Sequence, residues 1–397
     1  MRTNTLSAYR HDLQRELGHI LDWWVQHATD RERGGFLGRI DHQNKPDPSA
    51  PRGVVLHSRI LWTFTAAART QNNPGWMATA EHASAYLLEH FIDPEYGGVY
   101  WSVTPGGEPL NTRKQIYGQA FAIYGFSEYY RAGGPDAALE AAIRLFQWIE
   151  KYSFDGVRGG YLEAFARDGS TLTDLRLSSK DRNDPKTMNT HLHLLEAYAN
   201  LYRVWPDPLL AQRLRHLIQL FLDYIVNPLS GHLFLFFDTG WAPQSELISY
   251  GHDIEAAWLL LEAAETLGDS ALIQKCRDNA VIMAIAAARG YDDIHGGLWY
   301  ENHLPEKHWW VQAEGMVGFF NAWQISGEEH FLEKSTGCWQ FVQKHLLDRA
   351  HGEWFWGTDA RRRLLPGEDK AGFWKCPYHN GRACMELAER ISDSVGG

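Results

Sequence analysis

Three pairs of polar residues in this chain have spacings suited to moving protons. Asn189 and His193 stand four apart, His252 and Glu255 three apart, and His379 and Arg382 three apart, so each pair shares one face if its segment is helical. By the same count His191 points roughly opposite to His193. A carboxylate beside an imidazole stabilises the protonated ring and can fix its tautomer, which is the part expected of Glu255 next to His252. Two or three imidazoles, a guanidinium and aromatic rings suit abstraction of a proton next to a carbonyl. Histidine moves the proton near neutral pH, while arginine and amide donors stabilise the enediolate oxygen. In an aldose the acidic position is C2. Return of the proton to the opposite face yields the 2-epimer, and return to C1 yields the ketose.

Other chemistries find less support. His191-Leu192-His193 lacks the i, i+4 spacing of a helical metal pair and there is no H-E-x-x-H, so no metal and no cofactor is expected. Phosphate-loop, GxGxxG and G-x-S-x-G patterns do not appear. Two rivals stay open. Asp253, Glu255 and Glu314 could serve a glycoside hydrolase, and an aromatic-lined barrel could bind sugar without turning it over.

Six glycine-marked aromatic turns must position these residues. They are Gly34-Gly35-Phe36, Gly97-Gly98-Val99-Tyr100, Gly159-Gly160-Tyr161, Gly231-His232-Leu233-Phe234, Gly296-Gly297-Leu298-Trp299 and Gly352-Glu353-Trp354-Phe355. Their first glycines lie 56 to 72 residues apart, room for two helices and two connections. Amphipathic runs precede the turns (13–27, 76–91, 137–152, 209–226), and more apolar, Ala- and aromatic-rich runs follow them (57–69, 115–131, 189–205, 249–267, 309–325, 377–390). Alternation of outer and inner helices, six of each, describes an all-α (α/α)6 barrel, a single catalytic domain over 1–397. Its inner helices would bring their N-termini to one mouth, with short strands or hairpins on that rim. Near those N-termini stand His57 and Arg59; Tyr117 and Gln119; Asn189, His191 and His193; Tyr250, His252 and Glu255; Trp310, Gln312 and Glu314; His379, Asn380 and Arg382. Six helices each placing polar groups at one depth predict a ligand site. The polar stretch 167–186 is long for its place and reads as a lid or a solvated excursion.

Composition sets the class: 44% hydrophobic and 22% charged residues make a globular chain with a large core. A net charge of −11 leaves no excess of cations for nucleic acid or an anionic membrane surface. The charged first twenty residues argue against a signal peptide, and no 18-residue apolar run follows, so a cytoplasmic protein is expected. Cys276, Cys338, Cys376 and Cys384 sit singly in helix-like segments and read as free thiols. The 17 tryptophans suit both core packing and sugar stacking.

The motifs carry a resemblance. Val54-Val55-Leu56-His57-Ser58-Arg59-Ile60-Leu61-Trp62, Asn189-Thr190-His191-Leu192-His193, Ser249-Tyr250-Gly251-His252-Asp253-Ile254-Glu255, Trp309-Trp310-Val311-Gln312-Ala313-Glu314 and Phe373-Trp374-Lys375-Cys376-Pro377-Tyr378-His379-Asn380 resemble the cellobiose 2-epimerases, of the N-acylglucosamine 2-epimerase superfamily of (α/α)6 barrels. The resemblance spans all six repeats. It implies that His379 and His252 are acid/base residues on opposite sides of C2, and that His193 assists ring opening. Arg59 and Asn189 would hold the O1/O2 end and Glu255 would tune its neighbouring imidazole. Trp310 and Trp374 would pack against the sugar with Tyr117 nearby, and Glu314 and His191 complete the expected binding set. The substrate implied is a small sugar, a β-1,4 disaccharide such as cellobiose. Mannose 2-epimerases and mannose isomerases share much of this set, so free mannose stays open, as does oligomeric state.

Overall fold

The computed structural model describes residues 2–71, 73–178 and 180–396. Twelve long helices alternate in role. The outer set is α1 (Arg2–Trp23), α3 (Met77–Tyr86), α5 (Asp136–Tyr152), α7 (Pro208–Leu220), α9 (Ser270–Ala288) and α11 (Glu329–His345). The inner set is α2 (Val54–Thr70), α4 (Ile116–Arg131), α6 (Met188–Tyr202), α8 (Tyr250–Leu267), α10 (Trp309–Ser326) and α12 (Tyr378–Gly396). Each inner helix packs on the next, α12 closes on α2, and the last outer partner, α1, packs on α12. This is an (α/α)6 barrel. The expected inner helices match in number and order. The tight hairpins, however, run from inner to outer helix, for example over 132–135, while the glycine turns sit in the longer outer-to-inner connections.

The distribution of apolar residues explains the two rings. Inner helices such as α4 and α10 are buried along nearly their whole first three turns, whereas α5 buries Ala138, Ala141, Ala142, Leu145, Phe146, Trp148 and Ile149, one stripe at helical spacing.

A rim of short antiparallel pairings joins neighbouring repeats at the mouth. In chain order, β1 (Arg52–Gly53) pairs with β2 (Ser102–Val103), which also pairs with β3 (Pro109–Asn111); β4 (Lys114–Gln115) pairs with β5 (Ala164–Phe165), β6 (Lys186–Thr187) with β7 (Phe236–Phe237), and β8 (Lys307–His308) with β9 (Gly357–Thr358). Single bridges, Ser249 to Glu301 and Ile40 to Ala371, complete the circle.

Behind this rim lies a six-fold device that spacing analysis missed. Four residues before each first glycine stands an Asp or Asn: Asp30, Asp93, Asp155, Asn227, Asp292 and Asp348. The acid's Oδ1 accepts from the backbone N–H groups two and three residues on, as Asp155 does from Val157 and Arg158. Its Oδ2 meets a buried cation: Arg52 on Asp30, Lys114 on Asp93, Lys186 on Asp155, Lys307 on Asp292, Lys370 on Asp348. The fourth repeat has Asn227 for the acid and Ile248 where repeats one, two, three and five place the cation, two residues before the inner helix, so both charges are absent together.

All four cysteines are free and buried; Cys376 lies in the connection before α12, not in a helix. Among the described residues no helix is long and apolar enough to cross a membrane.

Candidate active site

A register rule sorts the polar residues at the mouth. Counting from the first residue of an inner helix, positions 2 and 6 are 40° apart and face the barrel axis, while position 4 points away, as 100° per residue requires. Position 4 holds His57, Gln119, His191, Asp253 and Gln312, and each binds the glycine turn of its own repeat. Their side chains accept from the backbone N–H of Phe36, Val99, Tyr161, Leu233 and Leu298. In the sixth repeat Glu353 does this for Trp354 and is held by Asn380. These groups are fasteners, so five of the sixteen residues expected to converge on a ligand, His57, Gln119, His191, Gln312 and Asn380, face the turns instead. His191 in particular leaves the binding set: Nδ1–H donates to Thr187 O at 2.7 Å, Nε2 accepts from Tyr161 N at 2.9 Å, and the ring abuts Trp241. The glycines make room for this grip. A Cβ on Gly160, whose φ is +78°, would lie 2.3 Å from Trp241 and 2.8 Å from His191.

Positions 2 and 6, with their neighbours, build the site. Tyr117, Asn189, Trp310 and His379 take position 2, and Arg59, His193, Glu255 and Glu314 take position 6. The rings of His252 and His379 flank Trp310, with centroids 4.9 and 5.6 Å from it. His379 Nδ1–H donates to Glu314 Oε1 at 2.7 Å, and His252 Nδ1 hydrogen-bonds Ser249 Oγ at 2.7 Å. His193 Nδ1–H donates to Glu196 Oε1 at 2.6 Å, its ring set edge-on to Tyr117. Arg59 donates to the Tyr117 hydroxyl at 2.8 Å and lies over Phe121 and Tyr378. Trp374 stands 5.9 Å from Tyr117, and Arg59 also donates to its carbonyl. Asn189 Oδ1 and Arg59 Nε are buried without a partner among the described residues, free acceptor and donor for a polar ligand.

Glu255 does not serve His252. It accepts from Arg382 at 3.1 Å and stands 3.9 Å from His379 Nδ1, while Glu314, expected only to bind substrate, is the acid behind that imidazole. His379 and Arg382 likewise do not pair; both converge on Glu314, which also accepts from Trp258 Nε1 at 3.0 Å. Spacing passed over Glu196, although it lies three residues after His193, the interval already used for His252 and Glu255.

Burial governs proton affinity here. It pushes His379 and His252 down to about 3, so both rings are neutral near pH 7. Burial also opposes ionisation of Glu314, but Arg382 and the hydrogen bond from His379 overcome it and bring the carboxyl down to about 2. Glu255, buried beside that anion and sharing Arg382 with it, is pushed well above the usual carboxylate range. Ligand atoms of Glu255, Glu314 and His379 lie within 4.8 Å of one another, close enough for a metal ion. Arg382 already supplies the positive charge at these carboxylates, which argues against a second cation there.

The loop over 167–186 is tied down at intervals. Arg167 binds Asp93 in a fork at 2.8 and 3.0 Å, Arg113 donates to Asp174 O, and Gln115 donates to Arg176 O at 2.8 Å.

Comparison with known proteins gives a consistent result. The family model described as N-acylglucosamine 2-epimerase matches residues 35–383. The chain is 49% identical to a cellobiose 2-epimerase of Bacteroides fragilis over 95% of this chain and 98% of that one. It is 39% identical to the Ruminococcus albus cellobiose 2-epimerase over 96% and 99%. The solved structure of a cellobiose 2-epimerase from Bacillus thermoamylovorans superposes with a TM-score of 0.91 at 37% identity, covering 97% of this chain and all of the other.

Proposed function

The chain belongs to the N-acylglucosamine 2-epimerase family, and from that premise we propose that it epimerises cellobiose, or a similar β-1,4 disaccharide, at C2 of the reducing end. It is a carbohydrate epimerase of the isomerase class. One observation carries the mechanism: two neutral imidazoles flank a single tryptophan, each with Nδ1 engaged and Nε2 free among the described residues. With the sugar opened to its aldehyde, one Nε2 takes the C2 proton. The C2–H electron pair becomes the C1–C2 double bond and the carbonyl pair moves onto O1. Arg59 and Asn189 hold O1 and O2. As negative charge builds on the enediolate, the other imidazole takes up a proton from solvent and delivers it to the opposite face of C2, the O1 pair re-forms the carbonyl, the C2 configuration is inverted, and the first imidazole returns its proton to solvent. His193, backed by Glu196, exchanges the proton needed for ring opening, while Trp310 and Trp374 pack on the reacting ring and Tyr117 fixes Arg59. Residues 1–397 act as one catalytic domain that needs no metal or cofactor. The four reduced, buried cysteines favour a cytoplasmic setting.

The test is NMR of EDTA-treated enzyme with cellobiose in D2O, repeated with mannose. Deuterium at C2 together with glucosyl-mannose supports the reading. A ketose product makes the protein an isomerase, turnover of mannose alone moves the substrate to a monosaccharide, and released glucose makes it a hydrolase. His379→Ala and His252→Ala should each lower turnover about 10²- to 10⁴-fold.

A further inference from the structure

The geometry points to Arg382 as a positioning residue that couples the two sides of the site, gripping the carboxylate behind His193 and the carboxylate behind His379 with one guanidinium. This rests on the roles given above to those two histidines. The path is continuous. His193 Nδ1 meets Glu196 Oε1 at 2.6 Å, Glu196 Oε2 accepts from Arg382 Nη1 at 2.8 Å, Arg382 Nη2 donates to Glu314 Oε1 at 2.7 Å, and that oxygen accepts from His379 Nδ1 at 2.7 Å. The Tyr378 hydroxyl donates to Glu196 Oε2 at 2.6 Å and fixes the near end. The guanidinium lies over the Tyr378 and Trp258 rings, 4.2 and 4.7 Å from their centroids. Arg382 and Glu314 are 1% exposed and the pair from His193 to Glu196 2%, so water does not screen the chain.

Arginine is the residue type this position requires. Its planar fork reaches two carboxylates on different helices, α6 and α10, which a lysine ammonium would meet only as a point charge. The fixed carboxylates hold both imidazoles as the Nδ1–H tautomer and aim both Nε2 atoms away from the hub. The charges also balance jointly. His379 is faced by Glu314 from α10, Glu255 from α8, Arg59 from α2, and Arg382 of its own helix; His193 is faced by Glu196, Arg59 and Arg382. His252 adds to both sides when it is protonated. Of these, only Arg382 touches both carboxylate partners. Removing its charge leaves Glu196 and Glu314 less compensated, so each imidazole would hold a proton more tightly.

The experiment is ¹⁵N-histidine NMR of the whole protein from pH 2 to 8, over the range in which it stays folded, with pH profiles of kcat/KM on cellobiose, for wild type, Arg382→Met, Arg382→Lys and Glu196→Gln. Both rings should show Nδ1–H in wild type. In Arg382→Met the midpoints of His193 and His379 should both rise by about one pH unit, a tenfold change in proton affinity, and the acid limb of kcat/KM should follow. kcat should fall about 10- to 100-fold with KM nearly constant. Arg382→Lys should keep the midpoints low yet fail to restore kcat. Glu196→Gln decides the matter if Arg382→Met does not fold: His379, which Glu196 does not touch, should titrate at lower pH because Arg382 is less neutralised. Movement of one imidazole only in Arg382→Met, or an unmoved His379 in Glu196→Gln, overturns the coupling. Wild type that epimerises normally without these shifts loses the coupling and keeps the function. The shifts without any aldose turnover do the reverse.

Discussion

His379 and His252 are neutral for the same reason, burial, but their Nδ1 partners differ: an ionised carboxylate behind one, a hydroxyl behind the other. An imidazolium formed at His379 is met by a charge already in place, whereas at His252 it is met by a dipole. Glu314→Gln should therefore lower kcat about 100-fold with KM little changed, since that side chain lies behind the imidazole. Ser249→Ala should cost about tenfold or less. Steady-state kinetics on cellobiose separates the two. His191→Ala should behave oppositely, leaving kcat of the folded enzyme intact and lowering stability by about 2 kcal/mol or more because Tyr161 N–H loses its acceptor in a dry site; denaturant unfolding measures it. Most of the reacting side chains were legible in the sequence because helical spacing assigns residues to faces. Which face meets the axis was not legible, and this misplaced His191. The pairing of Glu255 with His252 failed for a related reason: three-residue spacing permits contact, but Arg382, arriving from the far end of the chain, takes the carboxylate instead.

At the scale of elements, the six glycine turns announced the repeats and hence the barrel. The Asp four residues earlier was equally visible, and in five of the six repeats it ties the turn to a buried cation. Lys186 spends its ammonium on Asp155, Gly159 O and Thr239 O at 2.7 to 2.9 Å. Lys186→Met should thus destabilise by about 3 kcal/mol or more by leaving Asp155 uncompensated, with the thermal midpoint as the readout. Asp155→Asn combined with Lys186→Met should recover part of that loss. The fourth repeat is the natural form of this double change, with Asn227 and Ile248 standing in for acid and cation. Rim strands of two or three residues lie below what alternation can reveal, so only their presence at the mouth could be anticipated.

For the molecule as a whole, buried titratable groups shape the acid response. His57, His191, His252 and His379 are pushed by burial from about 6.5 down to about 3. An unfolded chain binds these four protons first, so the imidazoles favour the folded state less as pH falls from 6.5 to 3. Glu163, which burial pushes up from 4.5 to about 8, works the other way between those values, and Glu255, raised well above its usual range, acts in the same direction. The opposing sets flatten the curve above pH 4.5. Below it the unfolded chain also protonates the carboxylates that Lys186, Lys307 and Lys370 hold down at Asp155, Asp292 and Asp348, and these add to the loss from the imidazoles. Urea unfolding should show a shallow slope from pH 6.5 to 4.5 and a steep loss of stability from 4.5 to 3. A uniform slope across both ranges would remove this account.

The ring formed by α1 and α12 also has a consequence in time. α1 leaves the ribosome well before α12, whose apolar face it must cover; the rim bridge from Ile40 to Ala371 waits almost as long. A nascent chain can pair its inner and outer helices as they emerge, yet it carries an uncovered seam on both flanks until α12 emerges. That same helix brings His379 and Arg382 with it. Closure of the ring and assembly of the reacting groups are therefore one event, and a partly made chain has neither a sealed core nor a working site.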